Sequence, residues 1–480
     1  MKGQTPSIQW KKHIPLLGVL LLLFSAGPYI NRPPWFDESL TLDWLIFPLH
    51  EIPFQYVIPN NHIFYTLCLS LWDSLLNLFG FAQIHFLRVL SLIFGCCAVW
   101  IIARRINRVV GMYASLPVMI LFAASGSMIL FSTALRGYMA ALLFTFAAFL
   151  TAEAWMKQRK FRSLFFYFCF CYFAVLTIPT NLLSIGAGLL FLLPLGLRSK
   201  KDFFRLVQLG LIALAAMLAA YLPILQKFLK VSQIREGWFS YSDFVWNYYG
   251  ALIFSFLPLL IFCVIGLFRM PLKRLLKWRF LCFAGVFLTP LIAGCLFQAA
   301  PFPRVFFPLA GFFALIFSYL LSGFLRRRKG VVQKLPLLFS IVWILITPHL
   351  ISSASEKLFG THYRDDLLHP YPMSQSFRPH KVSRILADSY VQGGMQTVYI
   401  DFDADPPSLV VQLRNLDFPP EALLRDHPRF GPVQELPQGT WIICRDQQGF
   451  ERLRTRFSLT GNYHIHPDTV DQYQKIYVPD

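Results

Sequence analysis

Acidic side chains are scarce in the first part of this 480-residue sequence: up to Ser352 there are nine Asp and Glu against 31 Lys and Arg. Charge of either sign is also low, at 14% of the chain, while 56% is hydrophobic and 16% aromatic. A water-soluble chain carries about a quarter of its residues as charges, so a soluble globular protein is excluded and a membrane protein is expected. Cysteine is present but misplaced for a disulfide framework. Eight of the nine (Cys68, Cys96, Cys97, Cys169, Cys171, Cys263, Cys282, Cys295) lie inside apolar runs as packing residues, and the polar tail has Cys444 alone, with no bridge partner. Zinc-finger spacing, internal repeats and low-complexity segments are missing too. A net charge of +19 would point to nucleic acid in a soluble protein. Here the balance is +22 up to Ser352 and −3 beyond it, so the excess belongs to the hydrophobic part and no nucleic-acid partner is implied.

What is there is a series of long apolar runs. A hydrocarbon core of about 30 Å takes roughly 17 to 25 helical residues to cross. Runs approaching that length occur at 14–30, 85–103, 112–132, 136–155, 163–179, 181–197, 204–223, 249–268, 280–298, 304–325 and 335–352, eleven in all. A twelfth, His62–Phe81, carries Asp73 and Asn77 and is bounded by Pro59-Asn60-Asn61 and Gly80. Charge decides its status. With a cytoplasmic N-terminus and 62–81 uncrossed, 24 basic residues fall inside and seven (Arg32, Arg88, Arg136, Lys227, Lys230, Arg235, Arg304) outside. Were 62–81 to cross, every later basic cluster would change sides against the positive-inside rule. It is therefore expected to lie along the outer interface, where a mixed face of Trp72, Asp73 and Asn77 is tolerable. No small-x-small cleavage site follows the first run, which is expected to remain as an anchor.

Eleven crossings from a cytoplasmic start put the C-terminus outside. The tail has short β-patterned runs at Thr397–Phe402, Leu409–Leu413, Thr440–Arg445 and Lys475–Val478, separated by turns containing Pro, Gly and Asp. The expected architecture is an all-α polytopic membrane module over 1–352, with about 11 transmembrane helices, interfacial helices and a first outer loop at 31–84. A small soluble extracytoplasmic α/β domain follows over 353–480.

Four of the nine early acids, Asp37, Glu38, Asp43 and Glu51, share the first outer loop. Asp37 and Glu38 follow Pro33-Pro34-Trp35-Phe36 closely after the first run, which by itself fits a solvated loop with an aromatic anchor. On the same side the threading gathers Asn60-Asn61-His62, Arg88, Arg136-Gly137-Tyr138 and Arg304. Isolated arginines at helix ends commonly snorkel to headgroups, but the planar guanidinium fork is also the side chain best suited to a phosphate. Carboxylates with phosphate-binding arginines suit transfer of a group from a membrane-embedded phospholipid-like donor to a hydroxyl. The carboxylate takes the acceptor proton and arginine stabilises charge growing on the departing phosphate. Asp401, Asp403 and Asp405 alternate like a metal-binding Asp-x-Asp, yet fit a solvated strand end, and an EF-hand fails at Pro406 and Gln412. His464 and His466 share a strand face with no evident third ligand and fit surface histidines.

These strings occur in the order of a known family. FDESLT at 36–41, NNHIFYTLCLSLW at 60–72, FLRVLSLIFG at 86–95, ALRGYMAALLF at 134–144 and FPRVFFPL at 302–309 together resemble the GT-C superfamily of polyprenyl-phosphate-sugar-dependent membrane glycosyltransferases. Within it the chain resembles the bacterial relatives of protein O-mannosyltransferases and the lipid A aminoarabinose transferase. The resemblance implies a hexosyl- or pentosyltransferase of the bacterial inner membrane and cell envelope. Its donor would be a polyprenyl-phosphate-linked monosaccharide, and its acceptor a lipid, glycan or protein hydroxyl. Asp37 would be the catalytic carboxylate of an inverting attack, Glu38 would assist, Arg136 and Arg304 would bind the donor phosphate, and His62, Arg88 and Tyr138 would line the cavity. Three departures stand out: Ile63 replaces the proline after the motif histidine, Arg304-Val305 replaces Arg-Tyr, and Thr180-Asn181 replaces Thr-His. The last removes a metal ligand, so no metal site and no obligatory cofactor are expected. The alternatives are a lipid-linked sugar transporter or flippase, and an oligosaccharyltransferase or polymer ligase. The informative charges sit at outer helix ends and no two-half symmetry is visible, unlike many transporters.

Overall fold

The computed structural model describes residues 13–480 apart from 32, 33, 35, 46, 55–61, 82, 198, 227–240, 272–279, 298–302, 327, 329, 347–378, 402–408, 411, 412, 415, 417, 427–431, 445 and 468–474. Arg32, Pro33, Trp35, Asn60, Asn61, Lys227, Lys230, Arg235, Asp403 and Asp405 thus lie outside the described residues. Among the described residues the α-helices of seven residues or more are, in chain order, α1 (Ile14–Ala26), α2 (Phe36–Trp44), α3 (Ile63–Leu78), α4 (Ile84–Val110), α5 (Met112–Ala123), α6 (Gly126–Ser132), α7 (Tyr138–Gln158), α8 (Phe161–Thr177), α9 (Asn181–Gly196), α10 (Lys200–Tyr221), α11 (Tyr241–Ser255), α12 (Leu257–Arg269), α13 (Thr289–Phe297), α14 (Ala310–Leu325), α15 (Val331–Ile346), α16 (Pro379–Val391) and α17 (Gln447–Arg456). The chain divides into two compact units. One holds α1 and the helices from α3 to α15; the other joins α2 to the C-terminal domain.

The larger unit is helical throughout its described length, and each of the eleven apolar runs falls largely on helix. Among the described residues, four helical stretches are long and apolar enough to cross a membrane: α4, α7, Lys200–Ile224 and Arg304–Leu325. Counting two bent pairs as spans gives six, and shorter apolar helices accompany them. Length alone thus yields four to six spans, and eleven crossings stay a proposal.

Two of the apolar runs, 112–132 and 249–268, are bent within their length. Between α5 and α6 the axis turns by 55°, where Ser125 Oγ donates to Phe122 O at 2.9 Å and accepts from Met128 N–H at 3.4 Å. That serine caps a new helix start inside an apolar run. Between the Tyr248–Ser255 part of α11 and α12 the axis turns by 91°, with proline in the first turn of α12, where its missing N–H costs nothing.

Small residues let helices approach closely. A Cβ on Gly266 of α12 would collide with Leu320 O of α14, and one on Gly323 would stand 2.7 Å from Gly266 O. Helices α4 and α7 are joined by the buried carboxylate of Glu153, which takes Arg105 at 2.6 Å and Lys157 at 2.8 Å. Helix α3 has 16 residues, roughly 24 Å of rise, short of a hydrocarbon core of about 30 Å. It buries Ile63, Tyr65, Leu69 and Leu76 and exposes Leu71, Leu75 and Leu78. Tyr65 Oη meets Ser91 Oγ of α4 at 2.6 Å, and Trp72 Nε1 donates to Phe86 O at 2.9 Å.

In the C-terminal domain, β1 (Val398–Ile400), β2 (Leu423–Leu424), β3 (Trp441–Cys444), β4 (Tyr463–Ile465) and β5 (Lys475–Pro479) form one sheet in the order β2-β1-β3-β5-β4. Strand β1 runs parallel to β2 and β3, while β5 is antiparallel to β3 and β4. Alternation sends Val398, Ile400, Trp441 and Ile443 to a core with Val382 and Leu386 of α16, and Tyr399, Ile442 and Cys444 to a core with Phe450 and Leu453 of α17. Central strands covered on both faces read as continuous apolar runs, which is why β1 and β3 were visible in the sequence. The expected strand at Leu409–Leu413 is absent: Leu409, Val410 and Leu413 are helical. Leu409 and Leu413 both enter the α16-side core, and a spacing of four satisfies a helix face as well as a strand face.

Candidate functional site

In the larger unit, four expected site residues meet. His62 is buried at the head of α3, and its Nδ1 accepts the Gly137 N–H at 2.9 Å. Its ring meets Tyr138 edge-on, centroids 5.0 Å apart. An accepting Nδ1 is unprotonated, so the ring proton belongs on Nε2. Gly137 is required by space: a Cβ there would lie 2.5 Å from Thr177 Cγ2 and 2.8 Å from His62 Nδ1. Tyr138 begins α7 and packs on Phe131 at 4.4 Å, which packs on Phe307 at 4.4 Å. Thr180 Oγ1 donates to Val305 O at 3.2 Å, tying the α8–α9 turn to the 3-10 segment Pro303–Leu309 that carries Arg304.

Arg136, in the bend before α7, and Arg304 are both buried. Burial first, then the charges of Arg136 and Arg304, hold the His62 imidazole well below its ordinary value. One neutral ring thus feels two buried guanidiniums. Arg88, on α4 and fully buried, donates from Nη1 to Ile30 O at 2.8 Å and fastens the end of α1.

In the other unit, Asp37 and Glu38 occupy the first turn of α2, where acidic side chains favour the positive end of the helix dipole. Both are buried. Thr41 Oγ1 donates back to Asp37 O at 2.9 Å. Near the other end of α2, Asp43 accepts a two-pronged pair from Arg425, Nη2 to Oδ1 at 2.5 Å and Nη1 to Oδ2 at 3.2 Å. Nothing local in the sequence connects Arg425 to Asp43.

The remaining polar candidates are locally accounted for. Asn181 Nδ2 donates to Ala174 O at 3.0 Å, and its Oδ1 accepts from Thr145 Oγ1 at 3.4 Å. Asp401 pairs with Arg452 at 2.5 Å. His464 meets Asp480 at 3.0 Å on exposed β4, and His466 lies against Trp441. Among the described residues no three His, Cys, Asp or Glu side chains converge as a metal site.

No family model matches the chain, and no curated protein matches it in sequence. Among solved structures, the crystal structure of ArnT from Cupriavidus metallidurans in the apo state matches with a TM-score of 0.59 over 98% of each chain, at 13% identity. The chain shares that fold. ArnT is thus a fold relative over nearly its whole length.

The crowding at Gly137 makes a test of the cluster. Gly137→Ala is expected to displace His62 and lower stability by about 1–3 kcal/mol, as overpacking does, which a thermal denaturation in detergent would register. An unchanged melting temperature would contradict the packing described.

Proposed function

We propose that the chain is a GT-C glycosyltransferase that moves a monosaccharide, with inversion, from a polyprenyl-phosphate donor to an acceptor hydroxyl on the extracytoplasmic face of the membrane. The observation that carries this reading is the pair of buried guanidiniums, Arg136 and Arg304, acting on one neutral imidazole. The fold likeness to ArnT and the ordered motifs at 36–41, 60–72, 86–95, 134–144 and 302–309 support it.

Each group has one task. Asp37 takes the proton of the acceptor hydroxyl as its oxygen bonds to the anomeric carbon. The bond from that carbon to the phosphate oxygen breaks, and the electron pair leaves with the polyprenyl phosphate. Arg136 and Arg304 donate to that phosphate and stabilise its growing charge. Glu38 assists in holding acceptor or sugar, while His62 and Tyr138 shape the wall beside the phosphate. In this reading the membrane is crossed eleven times, the N-terminus is cytoplasmic and the C-terminal domain extracytoplasmic.

The test is reconstitution of the full chain in liposomes with a polyprenyl-phosphate monosaccharide, paired with mass analysis of cellular glycolipids and glycoproteins after deletion. Sugar transfer and a missing glycan are expected; lipid-sugar flux without transfer would overturn the reading. No step assigned here uses a metal, so EDTA is expected to leave the transfer rate within about twofold, the two carboxylates and two guanidiniums supplying the acid–base and electrostatic terms. A rate abolished by EDTA and restored by a divalent cation would contradict it.

A further inference from the structure

The C-terminal unit contains a connection that the roles above leave unused. Helix α2 has nine residues, and helices below about 12–15 residues are marginal in water by themselves. Its orientation must therefore come from what it is fastened to. Asp43 and Arg425 provide a fastening: the side chains are 8% and 12% exposed, and two hydrogen bonds join the guanidinium fork to both carboxylate oxygens. A two-pronged contact fixes angle as well as distance, which a single ammonium contact does not.

Arg425 is itself held on both sides. Directly before it, Leu423 and Leu424 of β2 are in register with Val398 and Tyr399 of β1, in parallel pairing. Directly after it, Asp426 takes Arg456 of α17 at 2.7 and 3.1 Å, and Arg456 also reaches Tyr399 Oη at 3.3 Å and Val433 O at 3.0 Å. The guanidinium thus projects from a rigid edge of the sheet. Asp43 lies six residues beyond Asp37, roughly 9 Å along the helix axis, so a grip at Asp43 sets the pose of the turn that carries Asp37 and Glu38.

We propose that Arg425 is a positioning residue for glycosyl transfer, acting through Asp43 to hold α2 and its Asp37-Glu38 turn in the reactive pose. The sheet of the C-terminal domain is then the reference frame for the catalytic carboxylate. The catalytic half of this proposal rests on the glycosyltransfer reading; the mechanical half does not.

Two readouts on the reconstituted full chain separate them. In Arg425→Ala and in Asp43→Asn, hydrogen–deuterium exchange of the 36–44 amides is expected to quicken at least about tenfold, with β3 and β5 keeping their protection. Transfer is expected to lose about 10²-fold in kcat, the scale of a roughly 1 Å misplacement, with donor KM within about threefold. Arg425→Lys, which keeps charge without the fork, should recover part of kcat. Unchanged exchange at 36–44 would overturn the mechanical half. Quickened exchange with kcat intact would overturn the positioning role. Loss of β3 and β5 protection in Asp43→Asn as well as Arg425→Ala would reassign the pair to folding of the domain and also sink the proposal. A wild-type chain that transfers no sugar would bring down the glycosyltransfer reading instead, with the exchange result still deciding the fastening.

Discussion

In Asp37→Asn, kcat for sugar transfer is expected to fall by about 10²–10⁴-fold, the range a positioned general base contributes. Donor KM should stay within a few-fold. The substitution is close to isosteric and removes the proton acceptor while keeping the shape of the side chain. The hydrogen bond from Thr41 Oγ1 ends on the Asp37 main-chain oxygen and survives the change. The lost interaction with the helix N-terminus is worth about 0.3–1 kcal/mol, small against the stability of a domain. Insertion and melting temperature should therefore match the parent while turnover collapses. Glu38→Gln, one step along the same first turn, should cost less, because an assisting group gives up a hydrogen bond but not the proton transfer. Retained turnover in Asp37→Asn would remove the proposed base, and equal losses at both positions would deny the division of labour between them. Single-turnover transfer with a mass-labelled donor, followed by mass spectrometry of the acceptor, makes the comparison.

Long-range order in the sequence was legible where one physical requirement repeats along the chain. Apolar length marked the helices of the larger unit, and short continuous apolar runs between turn residues marked β1 and β3. Local breaks were not legible, because the bend at Ser125 and the right angle at Phe256 sit in runs whose composition suits a straight helix equally well. Strand β2 has two residues and β4 three, too few for a period to show. His62, Arg136, Tyr138 and Arg304 stood out as polar residues at the ends of apolar runs, and these four come together in one unit. Asp43 and Arg425 are 382 positions apart. Each looks like an ordinary charged residue in its own stretch, so their pairing needs three-dimensional information.

The division into units changes how residues 36–44 are understood. Asp37, Glu38 and Asp43 precede α3 in the chain, yet α2 belongs with the sheet that begins only at Val398. Helix α2 is grouped with the C-terminal domain and is fastened to it by the pair of Asp43 and Arg425. Deleting residues 360–480 should cost far more than a binding surface, because it removes the partner of Asp43.

Arg136 and Arg304 supply the second large effect. Arg136→Gln or Arg304→Gln is expected to lower kcat/KM for the donor by about 10²–10³-fold, the usual loss when a donor to developing negative charge is removed. Arg→Lys should recover only part, since an ammonium restores charge without the fork. The imidazole beside them offers an independent check. His62 has its folded value depressed, first by burial and then by these two arginines. A depressed imidazole contributes stability that is complete above its unfolded value of about 6.5 and is lost as pH falls from there through the folded value, at up to about 1.4 kcal/mol per pH unit. Removing one guanidinium deletes one cause of the depression, so the folded value rises toward the unfolded one and the window narrows. The glutamine variants should therefore show a shallower loss of melting temperature between pH 6.5 and the acid limit than the parent, alongside weaker donor use. A variant with full donor affinity and the parental acid slope would show that its arginine neither holds the phosphate nor sets the potential at His62.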